Sequence, residues 1–174
     1  MASISSFKAN MQGGGARSNQ FRCIITFPTA VVGNAALAGN KAEFMVHSAS
    51  IPSADVAAAS VMYRGRDVHF AGERTFQPWN VSVYNDNDFV LRSAFEQWVN
   101  GMSNADSTGG VLLPSDYQID MEVHQLDRND ETLKKYKFTD AFPLTVSEIN
   151  LSWADNNQIQ TYNVTFQYNY WTEL

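Results

Sequence analysis

The sequence predicts a mainly β protein, an antiparallel β-sandwich or partly closed β-barrel of about eight strands with one flanking α-helix. Three observations carry that expectation. Apolar and polar residues alternate along most of the chain, the period of a half-buried strand. A helical period occurs convincingly once, over 91–102. Clusters of Asn and Asp separate several of the alternating runs, as turns between antiparallel neighbours do.

Residues 1–19 are polar and contain Gly13-Gly14-Gly15, which predicts a flexible arm ahead of a single domain at 20–174. No strand precedes the glycines and no Gly-Lys-Ser/Thr follows, so they form no phosphate loop. Phe21, Cys23, Ile25 and Phe27 alternate with polar residues and predict a strand up to Pro28. Residues 29–40, rich in Ala, Gly and Asn, read as a loop or a weak hairpin end. Strand character resumes over 41–49 with Phe44 and Val46 on one face, and Ile51-Pro52 ends it because proline lacks a ladder donor. The segment at about 50–72 is long and irregular, either a protruding hairpin or an interaction loop.

Over 74–84 the period is two again: Trp79, Val81 and Val83 face one way, Asn80, Ser82 and Tyr84 the other. Asn85-Asp86-Asn87-Asp88 supplies N-capping side chains. Leu91, Phe95, Trp98 and Met102 then form one apolar stripe that packs on the sheet, with Arg92, Glu96 and Asn100 outward and Gly101 where a C-terminal stop belongs. A polar loop over 103–115 follows. Ile119, Met121 and Val123 alternate with Asp120, Glu122 and His124, residues 127–130 turn, and 133–140 returns with Lys135 and Lys137, which together predict a hairpin. Phe142-Pro143 marks a break. Ile149, Leu151 and Trp153 read as a strand and Asp155-Asn156-Asn157 as a turn. Last comes a long strand with an aromatic face (Tyr162, Phe166, Tyr168, Tyr170) and an uncharged polar one (Thr161, Asn163, Thr165, Gln167, Asn169).

The net charge of −6 argues against a free-standing nucleic-acid binder. No apolar run is long enough for a transmembrane helix, and the N-terminus lacks a signal-peptide core, which predicts a chain made and folded in a cytoplasm without a membrane anchor. Cys23, the only cysteine, falls on the apolar phase of its strand and reads as a core residue. His47, His69 and His124 have no metal-ligand spacing, and no nucleophile elbow, Walker or dinucleotide fingerprint occurs. Asp120 and Glu122 lie two apart on a strand. They read as a solvated acidic face in preference to a glycosidase-like carboxylate pair. The aromatic face of the last strand reads as core in preference to a sugar-binding platform, because such a row would aggregate if exposed. No catalytic residue, metal or cofactor is assigned.

Two segments resemble a known family. One holds Gly72, Arg74, Thr75, Phe76 and Trp79, followed by Val81, Val83, Asn85, Asp86 and the helix with Phe95 and Trp98. The other holds Ile149, Leu151, Trp153, Asp155, Asn157, Gln160 and Thr161, ending at Tyr170-Trp171. In residues, order and spacing, both resemble the tail tube proteins of T-even-type contractile-tailed bacteriophages; 103–140 matches in outline. The resemblance implies a structural subunit, not an enzyme. It implies hexameric rings of this chain stacked into a hollow tube in a virion tail, assembled in the host cytoplasm. The implied partners are a contractile sheath, baseplate and tail-terminator proteins, and double-stranded DNA passing through the bore without sequence-specific binding. A pyocin-like injection machine is the neighbouring alternative and a carbohydrate-binding β-sandwich a remoter one. Under this resemblance Asp120, Glu122 and His124 are expected to face the bore, and the exposed flank of the 91–102 helix the sheath. Asp55, Met62, Tyr63, Arg64 and Arg66 are expected to contact the next ring.

Overall fold

The computed structural model describes residues 3–11, 13, 15–104 and 113–174. Seven strands form one antiparallel sheet and two a separate hairpin. In chain order the strands are β1 (Phe21–Ile24), β2 (Val46–Ala49), β3 (Asp55–Tyr63), β4 (Arg66–Thr75), β5 (Trp79–Tyr84), β6 (Ile119–Leu126), β7 (Thr132–Val146), β8 (Thr161–Gln167) and β9 (Tyr170–Glu173). The helices are α1 (Ile4–Asn10), α2 (Ala35–Met45), α3 (Val90–Met102) and α4 (Pro114–Tyr117). The large sheet runs β1-β6-β7-β8-β5-β2, with β9 on β7. It does not close into a barrel.

β7 holds the two halves of this sheet together. Its first half pairs with β6 and β9, its second with β8. The expected break at Phe142-Pro143 is instead a bulge inside a continuous strand, the register shifting between Pro143 and Thr145. The bend lies just upstream, at Asp140, whose φ of 57° turns the backbone. Its amide donates to Asp120 Oδ1 at 3.2 Å and its carboxylate accepts from Asn169 Nδ2 at 2.8 Å, so the bend is held from both sides. The same bend divides the C-terminal run into two strands. Tyr162, Phe166 and Tyr168 are buried as expected, but Tyr170 begins β9 and is exposed.

The core is aromatic. Trp79 stacks on Phe138 at 4.4 Å, and Phe27 lies 5.0 Å from Phe95 and 5.5 Å from Trp98. The indoles are not left unpaired: Trp79 Nε1 donates to the Ser50 carbonyl and Trp98 Nε1 to that of Tyr117. Helix α3 inserts Leu91, Ala94, Phe95 and Trp98 into this core, and Met102 packs at its margin. Arg92 differs from expectation. Instead of facing out, it is half-buried, with its guanidinium 5.0 Å over the Tyr162 ring and Nη1 donating to the Ser147 carbonyl.

Three expected elements change. The second part of the loop at 29–40 and the first part of the strand at 41–49 are replaced by α2, which buries Ala35, Ala38 and Ala42; Phe44 is exposed and only Val46–Ala49 forms a strand. Ile149, Leu151 and Trp153 form no strand but part of an irregular segment. The N-terminal arm carries α1, none of whose residues is buried. Most of the 103–115 loop lies outside the described residues.

Candidate assembly surfaces

Three surfaces are built from the sequence-predicted residues. The first is the hairpin β3/β4. Of the two readings of this segment the structure has the hairpin, an antiparallel ladder from Asp55↔Thr75 to Tyr63↔Arg66 with one bulge between Val56 and Ala58. Arg64 and Gly65, with φ 48° and 76°, make the two-residue turn whose twist suits a hairpin. Every residue of both strands is exposed. The tip holds Met62, Tyr63, Arg64 and Arg66, whereas Asp55 lies at the root.

The signature residues of the first segment gather at that root. Arg74 lies 5.1 Å over the Phe76 ring and 4.5 Å over that of Trp171, whose Nε1 donates to the Ser53 carbonyl at 2.9 Å. Trp79 holds Ser50 on the other side. Gly72 faces the bulge between Val56 and Ala58, where a Cβ would stand 2.8 Å from the Ala57 carbonyl oxygen. Thr75 closes the ladder against Asp55. These residues fasten a projecting hairpin to the body.

The second surface is the segment 147–160. Its base is closed by Ser147 and Asn163, which exchange hydrogen bonds, and by Asn85, whose amide and side chain both bond Gln160. Thr161 opens β8 opposite Tyr84, and Asn157, at φ 65°, turns the segment back. Around a cleft of about 560 Å³ it presents Leu151, Trp153 and Ile159 to solvent; Trp153 is fully exposed. Such an exposed apolar patch marks a contact surface.

The third comprises the two outer faces of the large sheet. On β6, Asp120 pairs with Lys137 at 2.6 Å, and the carboxylate pushes the Lys137 pKa up. Glu122 Oε2 accepts from His124 Nε2 at 2.7 Å. His124, expected on an open face, is only 5% exposed. Arg22 and Lys135 both register opposite His124, and Lys137 opposite Glu122. The acidic face expected from β6 alone is therefore a mixed one, because the neighbouring strands set cations beside its carboxylates. The opposite half of the sheet differs. Ser48, Asn80, Ser82, Thr145, Asn163 and Thr165 share a face through their pairings and carry no charge. Ser82 Oγ donates to Asn163 Oδ1 at 2.6 Å and Thr165 Oγ1 to Asn80 Oδ1 at 2.7 Å. Burial pushes the Cys23 thiol up to about 12, so it stays an un-ionised core group.

Among the described residues no cluster of His, Cys, Asp or Glu could hold a metal ion, and no helix is long and apolar enough to cross a membrane. The tail tube protein of Enterobacteria phage T4 is 33% identical over 137 residues, covering 76% of this chain and 82% of that protein. The baseplate tail-tube junction protein of the same phage is 29% identical over 133 residues, covering 76% of this chain and 41% of that protein. In fold, the chain is similar to the sheath–tube complex of an extracellular contractile injection system in its extended state, with a TM-score of 0.56 at 14% identity over 99% of each chain. The model of the family described as phage tail tube protein matches residues 16–174, and with that match over nearly the whole chain the protein belongs to the phage tail tube family.

Proposed function

We propose that copies of this chain close into rings of six, that the rings stack into the hollow tube of a contractile phage tail, and that double-stranded DNA passes through its bore. The role is structural, not catalytic. A sheath outside, a baseplate below and a terminator above are the partners this assignment calls for, with assembly in the host cytoplasm and the virion as destination. The observation that carries it is the hairpin β3/β4: both its strands are exposed throughout. A two-stranded hairpin with no packed face is marginal in water, so its partner must come from another chain. The outer strands β1 and β2 leave further unpaired backbone for neighbours. The 33% identity to a phage protein supports a phage tail over a phage-derived injection machine. The burial of Tyr162, Phe166 and Tyr168 puts the aromatic face of the last strand in the core and counts against a sugar-binding platform there.

Two faces compete for the bore. A wall that conducts DNA must not hold phosphate, and each accessible cation there would pair with one and release a counterion. The expected wall of Asp120, Glu122 and His124 carries Arg22, Lys135 and Lys137 beside it. The uncharged face of Asn80, Ser82, Asn163 and Thr165 carries none and is the better conduit. Negative-stain microscopy of the purified full chain tests the whole assignment. Six-fold rings or hollow tubes are expected; dispersed monomers at every concentration would sink it.

A further inference from the structure

Two tyrosine hydroxyls, those of Tyr162 and Tyr168, are buried without a protein partner among the described residues. A buried polar group left unpaired costs stability, so each calls for a physical account. Tyr168 follows β8 and is 3% exposed. Its ring is fixed between Phe138 at 4.9 Å and Phe76 at 6.1 Å, which leaves the hydroxyl little freedom to find a partner elsewhere. Burial pushes its pKa up, so it is a neutral group, donor and acceptor at once.

Tyr168 lines a cleft of about 200 Å³ together with Ser50, Ser53, Gln77 and Trp79. The two linkers of the hairpin meet there: 50–54 precedes β3 and 76–78 follows β4. The cleft has hydrogen-bonding capacity to spare. The Ser50 carbonyl accepts from Trp79 Nε1 and keeps a second lone pair. Neither the Ser50 hydroxyl nor the Gln77 side-chain amide bonds another described residue. No charged residue lines the cleft, which suits a neutral guest over an ion. A buried water needs about 10–15 Å³ of room and roughly 2–4 polar partners, and both are present. We infer that this cleft is a hydration site, in which an ordered water bonds the Tyr168 hydroxyl and is shared with the Gln77 amide and Ser50. The water ties both linkers of the hairpin to the body, as a bridging hydrogen bond nearly as good as a direct one. The site belongs to the single chain and does not depend on how copies assemble. Tyr162 is the natural comparison. Its hydroxyl is equally unpartnered, but Tyr162 is not among the residues of this cleft, and its ring lies 6.3 Å from Phe95 and 5.0 Å from the Arg92 guanidinium.

Tyr168→Phe in the full chain is the test, because the two outcomes differ in sign. Melts are run on chain diluted until light scattering shows no assembly. A phenol that holds a water loses stability with its hydroxyl, and the melting temperature is expected to fall by about 2–4 °C. Removing a hydroxyl that bonds nothing would leave the melting temperature unchanged or raise it, and would overturn the site. Gln77→Ala is expected to melt lower as well. The double variant is expected to lose less than the sum of the two losses, because both groups bond one water. Strictly additive losses would count against a shared water and overturn it too. Tyr162→Phe is expected to keep or raise the wild-type melting temperature. An equal fall there would show that a buried phenol stabilises this core without a hydration site. A Tyr168→Phe chain that melts like the wild type when dilute but assembles poorly would give the hydroxyl's bond to a second copy, and the water would be wrong.

Discussion

Gly101 shows how far one residue's role depends on a neighbour distant in sequence. Its place near the end of an apolar stripe makes it look like a helix stop. Yet α3 runs on to Met102, and Ser103 is the cap, donating its amide to Val99. A Cβ on Gly101 would stand 1.9 Å from Val31 Cγ1, so the glycine is there for the close approach of the 28–32 turn. Helix propensity alone predicts that Gly101→Ala stabilises by about 1 kcal/mol. Overpacking against a branched side chain predicts a loss of roughly 1–3 kcal/mol instead. Thermal melts should show the variant less stable, with Val31→Ala recovering part of the loss in the double variant. A more stable Gly101→Ala protein would mean that the turn yields freely. Asp120 and His124 carry the same lesson. Their alternation with Met121 and Val123 was legible, but Lys137 beside Asp120 and the burial of His124 come from strands paired across the sheet.

Among the elements, α3 was legible and α2 was not, for one physical reason. The stripe of α3 is made of Leu91, Phe95 and Trp98, large groups whose helical spacing stands out. That of α2 is Ala35, Ala38 and Ala42, which have the same kind of spacing but no bulk; read without it, an Ala- and Gly-rich stretch resembles a loop. That spacing was the available signal. Helix α2 is tied to the β5–α3 turn by Lys41, which pairs with Asp86 at 2.8 Å and with Asp88. The ammonium beside them holds both carboxyls below the usual carboxylate range, and they hold Lys41 above the usual lysine range. With their folded pKa values depressed, the aspartates contribute stability that is present above the ordinary carboxylate range. It is lost as pH falls through the depressed values, where the unfolded chain binds more protons. The melting temperature should therefore fall more steeply on acidification in the wild type than in Lys41→Met. Identical slopes would show that this exposed clamp adds nothing, as many surface pairs do. The strand expected at Ile149, Leu151 and Trp153 failed because alternation marks a strand only where a partner covers one face, and here Leu151 and Trp153 are left in solvent while only Ile149 packs against the core.

For the whole molecule, the decisive asymmetry is between the two outer faces of the large sheet. If the uncharged face of β5 and β8 lines the bore of the proposed six-fold ring, Asn163→Lys with Thr165→Lys should still permit assembly yet slow genome ejection, since the ring would multiply each new cation. Asp120→Asn with Glu122→Gln should then leave ejection unchanged. The reverse pattern would return the bore to Asp120 and Glu122. Repulsion by those carboxylates would in any case fade beyond about 8 Å at physiological salt. Ejection rates of phage carrying each variant decide between the faces.

The sequence by itself determined the β class, the core faces of β1, β5, β6 and β8, the position of α3 and, through two spaced segments, the family. Alternation and bulk are local properties, and they survive in one dimension. Only the tertiary structure decided that β7 runs through Pro143 to join two halves of one sheet, and that the irregular 50–72 stretch is a free-standing hairpin rooted by Arg74 and Trp171. It alone brought Arg22 of β1 to the acidic face and set the hairpin and the Trp153 cleft at opposite ends of β5. Each of these depends on which strands pair and where the chain bends. Pairing is a choice among distant segments, and no local period records it.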